Sequence, residues 1–571
     1  MRLKNKLAIF SILAACFVGY GNSLTNGFVL DDRLVIVSNG KVTAFKVGEI
    51  LSRPAWLALK DDKGWRPLST LSFALDWKWH GSEAFWPRFE NIVLHAGVCV
   101  LILMLALELG FSPWAGLFAA LLFALHPIHT EVLNPIVGRS DLLAALLGLL
   151  TVLGFLRESF PATLLPFVLG LFAKESILAL GFFFPLIIHW RTSRGCDRGK
   201  RLTLLAALGG VFILYMILRR QVTGIWLPGS GDTSFLDNPL IAAGALRRVS
   251  NAVFVLFRYG LLLLVPWPLS SDYSYDAIAV LPALSARNVA AAGALVLAGF
   301  GLWQWALKDK RVGFAAAFFS ATLFLVSNIP FPIGTIMGER LLYLPSVSFC
   351  LLAALGLERA PRRARAVAAT VILSGYGVLC WNRNRDWADD SSVFLAALRS
   401  SPGSIKAMTN AGYAYLALGR PKEARRELLR AVAKDGRYAL THSTLALAYR
   451  KLGEPAKAEA ELKTALSFEP EFMDCWVNLG IIYGETGRLD ASLDAFGKAL
   501  ALEPDNAEVH SNMGVTYKRR GMQALASGRK SQAADDFSRA LAQYQRALDL
   551  NPGYQQAIKN LEALRAVMTI R

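Results

Sequence analysis

Twelve apolar stretches follow one another through the first 385 residues, and nothing constrains this chain more. They run from Leu7 to about Tyr20, then near 91–109, 115–130, 141–156, 162–173, 175–190, 202–218, 251–266, 288–306, 313–328, 341–357 and 366–381. Stretches of this length are read as membrane helices, although several fall short of the ~20 residues that cross a bilayer without thinning it. The start, Met-Arg-Leu-Lys-Asn-Lys before Leu7, looks like a signal peptide, but no clean small-residue cleavage site follows. It is expected to stay as a first helix. Basic clusters at Arg2-Lys4-Lys6, Arg191 to Arg201, Lys308-Lys310-Arg311 and Arg359 to Arg365 mark a cytoplasmic side. All four fit one side only if one stretch fails to cross, and 251–266 is the weakest. The expectation is an odd number of crossings, eleven to thirteen, over residues 1–385. This places the amino terminus inside, a first external loop at 23–88, and the carboxy-terminal tail outside.

Composition agrees with that division. The chain has 571 residues, is 54% hydrophobic and only 18% charged, where soluble proteins average about 25% charged. The net charge of +18 is punctuation beside membrane segments and gives no reason to invoke nucleic acid. Six dispersed cysteines without a CxxC form neither a disulfide framework nor a zinc or redox motif.

After a linker at 386–404, residues 405–571 repeat with a 34-residue period, with units starting near 405, 439, 473 and 507. Position eight reads Gly412, Ala446, Gly480, Gly514, and position eleven Tyr415, Tyr449, Tyr483, Tyr517. Ala424, Ala458 and Ala540 hold the small contact position, from which Ser492 departs. This is the tetratricopeptide pattern, a solenoid of paired helices, with a 14-residue insertion in the fourth copy and a capping helix at 553–568. Its concave groove is expected to bind peptide, the plainer alternative being a solenoid that only dimerises or props the membrane part. The predicted fold is therefore all-α: a polytopic membrane domain followed by a repeat solenoid.

Charged residues beside or inside apolar stretches are costly and invite a functional reading. Asp31-Asp32 open the first loop, followed by Arg66 and Asp76. His126, His129 and Glu131 precede Arg139 and Asp141. Lys174-Glu175 separates two short runs, and Glu339-Arg340 precedes Tyr343. The topology puts all of these on the external face, where they describe a polar cavity open to the outer leaflet. Two histidines and a glutamate are metal-ligand types, but Pro127 and Pro135 break the helix that would space them, so hydrogen-bonded structural histidines are expected. A cavity of acids and cations suits a lipid-phosphate sugar. Cations such as Arg139, Lys174 and Arg340 hold the phosphate, and a carboxylate takes the proton of an attacking hydroxyl. A single displacement of that kind inverts the anomeric centre. No nucleotide diphosphate leaves, so a divalent metal is possible but not required.

The strings FVLDD, WRPLS, ENIVLHA, LFALHPIHTEVLNPIVGRSDLLA, LFAKES and IPFPIGTIMGERLLYLPS, ahead of tetratricopeptide repeats, resemble the transmembrane and tetratricopeptide repeat-containing protein O-mannosyltransferases. The resemblance implies a C-type glycosyltransferase fold (GT-C), a polyprenyl-phosphate mannose donor and O-mannosylation of Ser/Thr in exported proteins. It makes Asp31-Asp32 the catalytic pair and lines the donor site with Arg139, Lys174, Glu339 and Arg340. The four repeats are fewer than eukaryotic members tend to have. The compact start looks bacterial, which implies a plasma-membrane enzyme using undecaprenyl or decaprenyl phosphate. Two alternatives stand beside this reading: a membrane-anchored scaffold for envelope assembly, and a polyprenyl-linked glycan ligase.

Overall fold

The computed structural model describes residues 3–54, 64–190, 196–226 and 234–569. Arg2, Arg191 and Arg194 of the basic clusters, and residues 55–63 of the first loop, lie outside the described residues. Among the described residues every regular element is helical. The chain divides into two compact units, Met1–Ser404 and Ile405–Arg571.

In the first unit the twelve apolar stretches are mostly helical, with breaks at Leu125-His126 inside 115–130 and at Tyr343–Pro345 inside 341–357. Their starts are set locally. The Ser112 hydroxyl accepts from the Ala115 amide beside Pro113, and Asp197, Ser285 and Asp309 cap three later helices. Six helices are long and apolar enough to cross a membrane: Lys6–Ser23, Phe85–Glu108, Ile136–Leu156, Arg198–Thr223, Ala286–Lys308 and Arg362–Arg385. A seventh candidate, Pro113–Ala124 with Pro127–Leu133, is bent by 46° at His126 and its neighbours, and Phe160–Ala173, Glu175–Leu186 and Ser346–Glu358 are shorter apolar helices. The stretch 251–266 falls in Ala245–Leu264, which carries Arg247, Arg248 and Arg258 and is not among the span candidates. The first helix buries Ile12, Cys16 and Tyr20 in a core shared with Phe85–Glu108, Pro113–Ala124 and Arg139–Leu156. It is an integral part of the bundle. Trp387 and Val393, from 386–404, pack on Val29 of the first loop, and Asp390–Ser400 is a helix of this unit.

Charge separates along Phe85–Glu108. At its carboxy end Glu108 pairs with Arg157 at 3.0 Å, Arg311 donates to the Gly110 carbonyl at 3.2 Å, and Arg365 lies 4.7 Å over the Trp114 ring. Three basic groups thus meet at one end. Two candidate site residues, Asp32 facing Arg88 and Arg139 bonded to Asn91, lie at the other, roughly 30 Å away at 1.5 Å per helical residue.

The second unit pairs Ile405–Ala417 with Pro421–Lys434, Ala439–Lys451 with Pro455–Phe468, Met473–Glu485 with Leu489–Leu502, and Ala507–Ala526 with Lys530–Leu550, then closes with Gln555–Thr569. Position eight must stay small because a Cβ on Gly480 would lie 2.6 Å from the Phe496 ring. Ser492, where alanine is the rule, donates to the Gly480 carbonyl at 2.7 Å. The insertion lengthens the fourth pair to helices of 20 and 21 residues, against 13 and 14 in the first. Seven added residues are about two turns, so each longer helix keeps its buried face.

Candidate functional site

The loop from Phe28 to Arg33 separates the two aspartates. Asp32 is fully buried, accepting from the Val29 amide at 3.2 Å and the Val137 amide at 2.9 Å. Burial pushes its carboxyl up to about 6 against the opposing charge of Arg88. Asp31 is half-buried, with no hydrogen bond or ion pair among the described residues, and its charge reaches Arg340. Leu30 before it has φ 49°, a left-handed conformation that costs a non-glycine residue about 1–2 kcal/mol. That conformation is held from outside the loop: Asp390 accepts from the Leu30 amide and the Arg33 guanidinium, both at 2.7 Å.

Around Asp31 the first unit assembles a mixed cluster. Arg340 leaves 46% of its side chain exposed, with its Nε 3.9 Å from Glu131 and its amide donating to the same carboxylate at 2.9 Å. Burial opposes its charge, but Glu131, Asp31 and Asp141 outweigh that and hold it above its ordinary value. Lys174 donates to both oxygens of Asp141 at 2.7 Å, and Arg66 grips Glu175 in a fork at 2.8 and 3.1 Å. Lys174 also lies within electrostatic range of Arg66 and Arg340. Three cations and four carboxylates, drawn from five separate parts of the chain, therefore share one site.

Other expected members lie elsewhere. Arg139, read from sequence as a phosphate ligand, is enclosed: its side chain is 2% exposed and pairs with Asp76 at 2.6 Å and Glu90 at 3.1 Å. It also donates to Asn91 and to the Pro87 carbonyl. The reason is helical: residues two apart point about 200° away from each other, so Asp141 faces Lys174 while Arg139 faces Phe85–Glu108. Glu339 and Arg340 do not neutralise each other. Glu339 is buried, accepting from the Ser270 amide at 2.6 Å and the Tyr273 hydroxyl at 2.7 Å. Burial pushes it up to about 8. His126 bonds the Leu263 carbonyl and the Ile128 amide. His129 bonds the Phe123 carbonyl and the Ser346 hydroxyl. All four ring nitrogens are taken, and the rings brace the break in the bent helix. Tyr343 is buried against His95 at 2.7 Å.

Several residues escaped the sequence reading. Arg88 donates to the Asn26, Gly27 and Asn134 carbonyls and so holds the first loop against the turn that carries Val137. Asn384 joins Asn134, Asn22 and the Gly19 carbonyl. Arg88 and Asn91 flank Glu90 in the opening turns of a helix whose apolar run begins later, and that polar start was the available signal. Cys16, His95 and Cys99 bring their ligand atoms within 4.8 Å of one another, which no local spacing announces.

Fold and site together define a polytopic helical membrane unit carrying a cluster of charged side chains, followed by a tetratricopeptide array. Family models described as "Tetratricopeptide repeat" match residues 382–439 and 441–472, and one described as "TPR repeat" matches 482–521. The curated relatives are protein O-mannosyl-transferases. The chain is 31% identical over 480 residues to protein O-mannosyl-transferase TMTC4 of Homo sapiens, covering 71% of this chain and 63% of that protein. It is 28% identical over 523 residues to protein O-mannosyl-transferase Tmtc1 of Drosophila melanogaster, covering 72% and 59%. A solved thermophilic TPR protein of Thermus thermophilus is 25% identical, covering 32% of this chain and 92% of that one, with a TM-score of 0.27. The chain spans just under two thirds of the length of these first curated relatives.

Proposed function

We propose that this chain is a membrane protein O-mannosyltransferase that moves mannose from a polyprenyl-phosphate donor to serine or threonine of exported proteins. One observation carries the assignment of roles: Asp31 is a half-buried carboxylate without a hydrogen-bonding partner among the described residues, set in the field of Arg340. Asp31 acts as the base, and Asp32 is the clamp that shapes its loop. The acceptor hydroxyl attacks the anomeric carbon, its proton passes to Asp31, and the bond from that carbon to the phosphate oxygen breaks. Polyprenyl phosphate leaves and the anomeric configuration inverts. Arg340 and Lys174 offset the charge gathering on the departing phosphate, where aligned cations act most strongly. Arg340 suits this because a guanidinium has five donors and Glu131 lies 3.9 Å from its Nε. A divalent metal is not required for this displacement, since no nucleotide diphosphate leaves. The reading puts the amino terminus in the cytoplasm, the cavity and the repeat array on the external side of a bacterial plasma membrane, and the acceptor in the array's groove.

The test compares Asp31→Asn with wild type in membranes supplied with polyprenyl-phosphate mannose and a Ser/Thr peptide. Loss of a positioned base lowers transfer by about 100- to 10,000-fold with the melting temperature unchanged. Undiminished transfer refutes the assignment. Wild-type protein that neither binds nor consumes the donor would make the chain a membrane-anchored scaffold instead.

A further inference from the structure

One segment of the first unit, 387–404, bonds both sides of the proposed site. At its start a single carboxylate, Asp390, straddles the proposed base. It accepts from the Leu30 amide on one side of Asp31 and from the Arg33 guanidinium on the other, each at 2.7 Å. Trp387 and Val393 seat this end against Val29, all three buried, and the Ala388 carbonyl accepts from the Gly27 amide at 2.9 Å. The helix Asp390–Ser400 follows, capped by Asp389, which accepts from the Ser392 amide at 2.8 Å. Past its far end Ser401 donates to the Ser270 hydroxyl at 2.9 Å. Ser404 donates to Asp272 at 3.1 Å and bonds the Ser274 hydroxyl at 3.1 Å. That loop is the one that holds Glu339, through the Ser270 amide and the Tyr273 hydroxyl. Arg340 is the next residue.

The two charged groups so approached lie on irregular backbone. Residues 26–30 before Asp31 and 331–338 before Arg340 are outside any helix, and Glu339–Leu342 is a single tight turn. Backbone of that kind takes its geometry from what it is bonded to. Leu30 shows this most directly, since a leucine released from its bond leaves the left-handed region at φ 49°. The helix between the two clamps is stiff by comparison and sets them about 16 Å apart at 1.5 Å per residue. Its far clamp is enclosed, with Ser270, Ser274, Ser401 and Ser404 all buried, so opening it strands polar groups away from water. We propose that Asp390–Ser400 is a strut that fixes the spacing of Asp31 from Arg340, with Asp390, Ser401 and Ser404 as positioning residues for the transfer. None of the three touches substrate. Each acts through a residue beside a reacting group: Asp390 through Leu30 and Arg33, and the serines through Ser270 and Asp272. This deepens the transferase reading and rests on it for the roles of Asp31 and Arg340.

The test uses the full chain in detergent and has two readouts. Amide hydrogen exchange, read by mass spectrometry over 28–33 and 268–274, compares wild type with Asp390→Ala and with Ser401→Ala/Ser404→Ala. A strut makes each substitution felt at both ends. The serine variant speeds exchange over 28–33 by about threefold or more, and Asp390→Ala does the same over 268–274. Exchange that rises only at the substituted end shows two separate clamps and overturns the strut. Either variant alone decides this, so one that fails to fold does not remove the test. The second readout is transfer from polyprenyl-phosphate mannose to a Ser/Thr peptide. Release of Leu30 lowers kcat in Asp390→Ala by about 5- to 30-fold, the population cost of its left-handed conformation, with the acceptor KM within about twofold. Adding Leu30→Gly, which takes that conformation freely, restores kcat by about threefold or more, a rescue that a generally destabilised protein does not show. Absence of rescue excludes Asp390 as a positioning residue. In the variant lacking all three side chains the loss of kcat falls about threefold or more short of the product of the separate losses, and losses that simply multiply overturn the strut. Wild-type protein that transfers nothing refutes the transferase reading, and exchange alone then decides the strut. Wild-type transfer with exchange confined to one end refutes the strut and leaves the transferase.

Discussion

Asp32 gives the sharpest test of the geometry, because its burial and its hydrogen bonds make separable demands. Replacing it with alanine leaves the Val29 and Val137 amides without their acceptor, and an orphaned buried donor costs about 1–3 kcal/mol. Two such donors make the loss at pH 5 about 2–6 kcal/mol. The pH dependence follows from the carboxyl's position near 6 in the fold against 3.8. A raised acid favours the fold while protonated, fully below its unfolded value, and that contribution is lost as pH climbs through the folded value. Between pH 8 and pH 5 the wild type gains about 1.4 kcal/mol from this group and the alanine variant gains nothing. All other titrations cancel in the comparison, so the stability gap between the proteins widens on acidification. In tryptophan-fluorescence melts of detergent-solubilised protein the gap grows by roughly 2 °C, scaling down from the 2–4 °C per kcal/mol of smaller domains. A gap that is constant, or that narrows toward pH 5, refutes the buried-clamp account of Asp32.

Asp141→Asn strands the Lys174 ammonium, whose pair is about 15% exposed, and is expected to cost about 2 kcal/mol, less than a fully buried pair. Lys174→Met with Asp141→Leu restores the melting temperature while donor binding stays lost, and recovery of donor binding would exclude Lys174 from the phosphate site. Glu339→Gln preserves the carbonyl that accepts from Ser270 and Tyr273. Ionisation of Glu339 costs the wild type about 2–3 kcal/mol between pH 6 and pH 9, a change the glutamine variant lacks, so wild-type stability falls by that amount relative to the variant in the same melts. Gly480→Ala forces a Cβ to 2.6 Å from Phe496 and destabilises the array by about 1–3 kcal/mol. Limited proteolysis of the repeats reads this out, and unchanged resistance would show that Phe496 has room to move.

The structure brings Asp31, Glu131, Asp141, Lys174, Glu175 and Arg340 of the sequence candidates into one cluster and sets Arg139, Glu339 and the two histidines apart from it. Asp31-Asp32 stood out as one pair, yet one carboxylate is a clamp and the other is open. Their difference is decided by Val137, Arg88 and Asp390, residues far from the pair along the chain. Arg139 shows a different limit, since helical geometry alone predicts that it and Asp141 face opposite ways, and that inference was available from the sequence. Glu339 and Arg340 are neighbours in sequence, but their partners are different and distant: Tyr273 with Ser270 for one, and Glu131 for the other.

By itself the sequence determined helicity, the division into an apolar unit and a repeat array, and the small-against-large contacts between the paired helices of the repeats. These are set by hydrophobic run length and by a 34-residue period, both of which act between near neighbours along the chain. Only the tertiary structure decided which charges are satisfied and which remain available. Availability depends on burial and on the orientation of partners brought from distant segments. Arg139 is enclosed by Asp76 and Glu90 while Arg340 is left open beside Asp31, and no local pattern distinguishes one arginine from the other.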